Sequence, residues 1–126
     1  MWVRTNVNPG KRRVGDCVIR AISTATGMSW LEVYDDLHRL GRQIYDVPPS
    51  NELWGLYLYR MGFEPLVLPE NCPSCVTVAE FARRFPRGRY IVGTGSHAVA
   101  VIDGDWFDTF DSGELVPSYF FVIDRR

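Results

Sequence analysis

The spacing of the apolar residues changes near residue 89, and this change sets the fold class. Before that point apolar residues recur every three or four positions, as on one face of a helix. After it they form short runs between glycines, as in strands. This order predicts an α+β fold in which N-terminal helices pack on one face of a small C-terminal antiparallel sheet. With 126 residues, 46% of them hydrophobic, the chain is expected to fold as one domain over residues 1–126.

Four helices are predicted in the first part of the chain. Ser29 and Thr77 are each followed three residues later by a glutamate, which is the capping-box pattern of a helix start. Gly27, Gly41 and Gly62 follow the last apolar positions of the first three helices, where glycine commonly ends a helix. The predicted helices cover about residues 16–25, 29–40, 50–61 and 77–85.

Four strands are predicted in the second part of the chain. The pair Asp103-Gly104 lies between two of them and is a strong signal for a two-residue hairpin turn. An earlier segment bounded by prolines, residues 64–68, is predicted to be extended. The predicted strands cover residues 90–93, 98–102, 105–110 and 119–123.

Cys17 is the candidate nucleophile, and His97 is its candidate base. Cys17 lies in the first turn of the first predicted helix, where unpaired N–H groups and the positive end of the helix dipole favour a thiolate. His97 precedes an apolar strand on a separate, rigid part of the chain, from which it can hold the proton of the thiol.

The predicted hairpin selects an acid for His97. If Asp103-Gly104 is a two-residue loop, Val101 faces Trp106, and Asp108 becomes a diagonal neighbour of His97. A carboxylate there would fix the tautomer of the imidazole and stabilise the imidazolium. A change of one residue in the loop would select Asp111 instead, so Asp111 is the alternative.

This Cys-His-Asp set resembles that of the papain-like cysteine peptidase superfamily. The residues that carry the resemblance are Asp16-Cys17 at a helix start, His97 before an apolar strand, and Asp108 at the end of the next strand. Within the superfamily the chain is most similar to small bacteriocin-processing peptidases. It is also similar to small uncharacterised phage-type proteins with a Gly-Asp-Cys-apolar-Ile-Arg-Ala helix.

The resemblance implies a papain-like fold and a hydrolase that cleaves a peptide or isopeptide bond in a peptide or protein substrate. Cys17, His97 and Asp108 would be its catalytic residues, and it would need no metal or organic cofactor. The alternative is a non-catalytic binding or inhibitor protein on the same scaffold, of which a phage-encoded protein is one example.

Two positions depart from the family pattern. Val18 stands where the bacteriocin-processing group has glycine, and Lys11 stands where papain-like enzymes have the glutamine that donates to the oxyanion. Loss of one such donor costs about 10²–10³ in rate. Asn8 is the preferred substitute, because Pro9 stiffens its position, and Asn6 and Lys11 are weaker candidates.

The net charge and the absence of targeting signals indicate which partners and which cell compartment to expect. The net charge of −1 disfavours nucleic acid as a partner. No secretory signal or span of about 18 apolar residues is evident, so a cytoplasmic protein, or a phage protein in the host cytoplasm, with no membrane partner is expected. The sequence does not determine the oligomeric state. Two basic clusters are interpreted as solvated surface, with phosphate or acidic-partner binding as the alternative; they are residues 11–13 and Arg83, Arg84, Arg87 and Arg89.

The two remaining cysteines, Cys72 and Cys75, enclose a proline and a serine. A plain loop, a labile disulfide and half of a zinc site are all compatible with this spacing, and no second pair completes four ligands. Because the cysteine count is odd and the chain can build its own core, we expect free thiols in a reducing compartment.

Overall fold

The computed structural model of the protein describes residues 1–124, which form four helices and a six-stranded sheet. The helices are α1 (Cys17–Thr26), α2 (Trp30–Ile44), α3 (Asn51–Arg60) and α4 (Val78–Arg84). The strands are β1 (Trp2–Arg4), β2 (Pro65–Val67), β3 (Arg89–Gly93), β4 (Ala98–Ile102), β5 (Asp105–Asp108) and β6 (Tyr119–Asp124). Their order across the sheet is β1-β5-β4-β3-β6-β2. The α+β class is therefore confirmed.

The sheet is mixed, so the expectation of a small, antiparallel, C-terminal sheet is wrong. β1 comes from the N-terminus and pairs in parallel with β5, with Trp2 opposite Trp106 and Arg4 opposite Asp108. The segment predicted to be extended forms β2, which pairs antiparallel with β6. Both added strands have three residues, which is too short for a period of two to be read from the sequence.

Helices cover both faces of the sheet, whereas the sequence predicted one face. Alternate residues of β4 show the division: Ala98 and Ala100 pack in a core cluster with α1, α2 and α3, and Val99 and Val101 pack in a second cluster with α4. Because Ala98 and Ala100 have small side chains, α1 can lie close to the sheet. The fourth helix bears Val78, Phe81 and Ala82 on its buried side, as its spacing predicted.

Most helix ends follow the predicted signals, and α2 is the exception. Ser29, Ser50 and Thr77 each accept a hydrogen bond from the backbone N–H three residues later, and Thr77 completes its capping box. Gly27 ends α1 in the left-handed conformation, with φ 80°. However, α2 continues through Gly41 to Ile44, because this glycine is needed for a close approach rather than for a helix end.

Gly41→Ala is expected to destabilise the protein by about 1–3 kcal/mol, since overpacking a well-filled site has this cost. A Cβ at this position would lie 2.5 Å from the backbone carbonyl oxygen of Asp46, so backbone would have to move. Gly55→Ala in α3 is the matched control. No atom lies within 4 Å of its added Cβ, so helix propensity should stabilise it by about 0.5–1 kcal/mol. Urea unfolding measures the free energy of unfolding of both variants. Changes of the same sign in the two variants would contradict the close packing at Gly41.

Cys72 and Cys75 are joined by a disulfide, so the expectation of free thiols is wrong for this pair. The turn that holds Pro73 and Ser74 brings their Cα atoms to 4.6 Å, within the range that a disulfide bridges. Cys17 is the free cysteine of the described chain. The disulfide is one of the three alternatives that the spacing of these two cysteines left open. Over residues 1–124, no helix has the length and apolar character needed to cross a membrane.

Candidate active site

Cys17 is the first residue of α1 and is half-buried. The first backbone N–H bonded within the helix is that of Arg20, which donates to the carbonyl oxygen of Asp16 at 2.9 Å. The backbone N–H groups between Cys17 and Arg20 therefore have no acceptor within the helix. Asp16 occupies the N-cap position, but its side chain does not cap the helix. Cys17, the candidate nucleophile, consequently lies at a helix start, and the carboxylate of Asp16 accepts no hydrogen bond from the N–H groups there.

His97 lies directly before β4, at the end of a tight loop. The hydroxyl oxygen of Thr94 accepts a hydrogen bond from the backbone N–H of His97 at 3.1 Å, and the backbone N–H of Thr94 donates to the carbonyl oxygen of His97 at 2.9 Å. From the start of α3, the Asn51 amide donates to the carbonyl oxygen of Gly95 at 2.7 Å. The backbone of the candidate base is therefore held from both sides.

His97 and Asp108 are in direct contact. The distance from His97 Nε2 to Asp108 Oδ2 is 2.6 Å, and the Asp108 side chain is almost fully buried, at 1% exposure. The hairpin has the predicted register, with Val101 opposite Trp106. Asp111 instead accepts hydrogen bonds from the Trp106 indole and from a backbone N–H. Asp108 is therefore the carboxylate that contacts His97, as the hairpin argument predicted.

The Cys17 thiol lies close enough to the same imidazole for each of the two groups to shift the pKa of the other. Because Asp108 occupies Nε2, the ring nitrogen that remains to face the thiol is Nδ1. The structure thus brings together the three side chains predicted as nucleophile, base and orienting acid. They come from α1, from the loop before β4 and from the end of β5.

The charges of this set favour a thiolate and an imidazolium. Burial alone would raise the Cys17 pKa, but the neighbouring imidazole of His97, the backbone at Ala98 and the positive charge of Arg20 together lower it. Burial would lower the His97 pKa, but Asp108 and Cys17 raise it to about 9. Burial would likewise raise the Asp108 pKa, and its contact with His97 holds it below the usual value. Near neutral pH the cysteine is therefore favoured as the proton donor and the histidine as the acceptor.

Arg20 links the acid to the nucleophile helix, a connection that sequence reasoning missed. Its Nε donates to Asp16 Oδ1 at 2.8 Å, and its Nη1 donates to Asp108 Oδ1 at 3.1 Å. All three side chains are largely buried, with exposures of 11% for the arginine and 4% and 1% for the carboxylates. The guanidinium takes one oxygen of Asp108 and leaves the other for His97. The spacing of four between Asp16 and Arg20 was a readable signal for half of this bridge.

Asn8, the predicted oxyanion donor, is buried and bonded to Asp16. Its amide donates to Asp16 Oδ2 at 3.2 Å, and its carbonyl oxygen accepts from the backbone N–H of Gly10 at 2.8 Å. The Trp30 indole donates to the same Asp16 oxygen at 2.9 Å. Lys11 is exposed, and its ammonium donates to a backbone carbonyl. In this structure Asn8 therefore holds the carboxylate of Asp16, the residue before Cys17.

Tyr119 lies near enough to Cys17 for the charge of the thiolate to affect its hydroxyl. Its pKa is raised to about 12 by burial and by the negative charge of Cys17. Its hydroxyl donates to the side-chain oxygen of Asn51 at 3.3 Å. Gly93 provides the space for its ring, because a Cβ there would lie 2.5 Å from the ring carbon Cζ. Tyr119 is therefore a neighbour of the cysteine that no sequence signal pointed to.

No family model matches this chain, and no match was found among curated proteins or solved structures. Within residues 1–124, no group of three or more histidine, cysteine or acidic side chains is arranged to hold a metal ion.

Proposed function

We propose that this protein is a thiol hydrolase that cleaves a peptide or isopeptide bond, and that its scaffold is papain-like. One observation carries the proposal: Cys17 at the start of α1 lies beside His97, and His97 is hydrogen-bonded to the buried Asp108. Activated cysteine nucleophiles in proteins are found in this arrangement of helix start, imidazole and orienting carboxylate.

In the proposed first step, the Cys17 thiolate attacks the carbonyl carbon of the scissile amide. The tetrahedral intermediate collapses as the C–N bond breaks, and His97 transfers the proton on Nδ1 to the leaving amine. Asp108 holds the proton on Nε2 and so keeps the other nitrogen directed at the reacting groups. The products of this step are the free amine and a thioester of Cys17.

In the proposed second step, water hydrolyses the thioester. His97, now neutral, accepts a proton from the attacking water through Nδ1, and the C–S bond breaks to release a carboxylic acid and the Cys17 thiolate. The imidazolium and the thiolate are then restored for the next cycle. An amine in place of water would give transamidation by the same chemistry.

For the oxyanion we propose the backbone N–H groups of the first turn of α1, with that of Cys17 foremost. They lie beside the nucleophile and precede the helical ladder. Asn8 was the sequence candidate for the second donor. Its bonds to Asp16 and Gly10 favour a supporting role, because they commit its carbonyl oxygen and one amide hydrogen.

The first test is the pH profile of Cys17 alkylation by iodoacetamide, followed by mass spectrometry of the peptide. Because the Cys17 pKa is lowered, the wild-type protein is expected to react faster at pH 6 than a cysteine with an ordinary pKa does. His97→Ala removes the partner that stabilises the thiolate, so the rate at pH 6 should fall about tenfold or more. Turnover on a substrate should decline above about pH 9, where His97 loses its proton.

The chain offers a matched control, since His38 is exposed and its ring is hydrogen-bonded to the carbonyl oxygen of Tyr34 in the same helix. His38→Ala should leave the alkylation profile unchanged. If Cys17 reacts slowly in the wild type and His97→Ala has no effect, the hydrolase proposal is wrong. That result would support the alternative of a non-catalytic binding or inhibitor protein.

A further inference from the structure

A cavity of about 250 Å³ opens beside the candidate triad. Its wall includes Asp16, the residue before the nucleophile, and Thr109 and Phe110, which follow Asp108. The Phe110 ring lies 5.1 Å from the His97 ring, measured between centroids. The cavity adjoins the reacting groups without containing them. This position fits a substrate group near the scissile bond rather than the bond itself.

Cations without carboxylate partners surround this cavity. Arg12 and Arg13 line it, both are exposed, and within residues 1–124 neither forms an ion pair. A neighbouring cavity of about 200 Å³ shares Arg13 and adds Arg4 and Lys11 to the basic wall. Besides Arg20, which is paired with Asp16 and Asp108, four positive side chains therefore border the two adjoining cavities.

The negative charge in the same wall is already compensated. One oxygen of Asp16 accepts from Arg20, and the other accepts from Trp30 and Asn8. Arg20 is in turn bound to Asp108. Neither carboxylate is available to neutralise the four cations, so the local potential is positive although the whole chain carries a net charge of −1.

We propose that Arg12 and Arg13 bind a carboxylate of the substrate and so select acidic peptides for cleavage at Cys17; this inference rests on the proposed hydrolase function. Arginine matches a carboxylate because its planar fork donates two parallel hydrogen bonds. The carboxylate comes from an acidic side chain or from the C-terminus of the peptide. A cavity of this size holds one or two side chains, whereas duplex nucleic acid needs a broader basic face.

The first experiment compares two alkylating reagents of similar size on Cys17, one anionic and one neutral. Iodoacetate and iodoacetamide both form a C–S bond and release iodide, but only iodoacetate carries a carboxylate. The ratio of their rates should fall about threefold or more in the double variant Arg12→Gln/Arg13→Gln, because the local positive potential concentrates the anion. Added NaCl should lower the wild-type ratio in the same direction.

Arg83→Gln/Arg84→Gln is the matched control. These two arginines are exposed, adjacent in sequence and located on α4, which packs on the other face of the sheet. The control removes the same net charge from the protein, so it should leave the ratio of rates unchanged. A fall of equal size in both double variants would show a general charge effect and would overturn the proposed subsite.

The second experiment identifies the source of the carboxylate. Internally quenched peptides that differ only in the position of one glutamate, each with a glutamine counterpart, are compared with free and amidated C-termini. The wild-type protein should cleave one glutamate series faster than its glutamine counterpart, and Arg12→Gln/Arg13→Gln should lose that preference. If the preference survives amidation, the bound carboxylate is that of the glutamate side chain. If it requires the free C-terminus, the bound group is the α-carboxylate.

The outcomes separate the two proposals. Rapid, His97-dependent alkylation of Cys17 with an unchanged reagent ratio in Arg12→Gln/Arg13→Gln would overturn the subsite and leave the hydrolase intact. Slow alkylation without dependence on His97 would overturn both before the arginine variants are compared. Salt-dependent binding of a fluorescent oligonucleotide that is lost in the double variant, with no glutamate preference, would assign the basic cluster to nucleic acid instead.

Discussion

If the proposed triad operates, Asp108→Asn is expected to lower turnover by about 10⁴, the loss seen when the acid of a Ser-His-Asp triad is replaced by its amide. The amide cannot stabilise an imidazolium as the carboxylate does, so the His97 pKa should fall from about 9 towards its usual value of 6.5. The Cys17 pKa should rise in consequence. Iodoacetamide rates between pH 4 and 10 measure this, since the acid limb of the profile should move to higher pH.

Asp111→Asn provides the comparison for Asp108→Asn. Asp111 is exposed and accepts hydrogen bonds from Trp106 and Gly113 rather than from His97. Its substitution should change the alkylation rate by no more than about twofold, as expected for a residue outside the hydrogen-bonded series. Equal effects of the two substitutions would contradict the assignment of Asp108 as the orienting acid. Thermal unfolding of both variants distinguishes a loss of chemistry from a loss of fold.

The same contact predicts how stability changes with pH. The folded-state pKa of His97, about 9, lies above its usual value of 6.5, so its contribution to stability is fully present below pH 6.5. That contribution should be lost as the pH rises towards 9. In Asp108→Asn this loss should be smaller, because the charged imidazole no longer has its main partner.

Arg20→Met is expected to lower the free energy of unfolding by about 3–5 kcal/mol, because removing one member of a buried ionic set leaves unpaired charge. Asp16 and Asp108 would both lose a charged donor while remaining buried. Arg20→Lys should recover part of the loss, because one ammonium can reach one carboxylate but lacks the fork that serves both. Urea unfolding at pH 7 measures the three proteins.

Arg39→Met is the matched control for Arg20→Met. Arg39 also pairs with an aspartate at 3.1 Å, but its side chain is 67% exposed. Exposed pairs of this kind contribute about 0–1 kcal/mol. The effect of Arg20→Met should also shrink at acid pH, where the carboxylates are protonated. A loss for Arg20→Met no larger than that for Arg39→Met would contradict the structural role of the bridge.

The contact between His97 and Asp108 could be predicted because a tight turn fixes register over a short distance. Asp103 and Gly104 both have positive φ, as the two-residue turn requires, and the pairing of β4 with β5 follows from it. Alternation along the strands also placed Val101 on the same side of the sheet as Val99 and Trp106, as expected. Val99 and Trp106 belong to the α4 side of the sheet, whereas Cys17 lies on the α1 side. The contacts with His97 form at the end of the sheet, where alternation no longer assigns a face.

The remaining parts of the site could not be read from the sequence because they depend on contacts between distant residues. Arg20 and Asp108 are 88 residues apart, and nothing local marks them as partners. Tyr119 and Asn51 are 68 residues apart and likewise meet only in the folded chain. β1 was missed for a different reason, since three residues carry too little pattern to distinguish a strand from a loop.

β1 lies at the edge of the sheet, and residues in and next to it help to hold the backbone of Asp108 in place. The backbone N–H of Thr5 and the indole of Trp2 both donate to the carbonyl oxygen of Asp108, at 2.9 and 3.2 Å. Short edge strands are where sheets open with the least free energy. Each fraying event at this edge would release two restraints on the backbone of Asp108, the proposed orienting acid. The fraction of time for which the acid is fully anchored is therefore set by a three-residue strand that touches neither the cysteine nor the histidine.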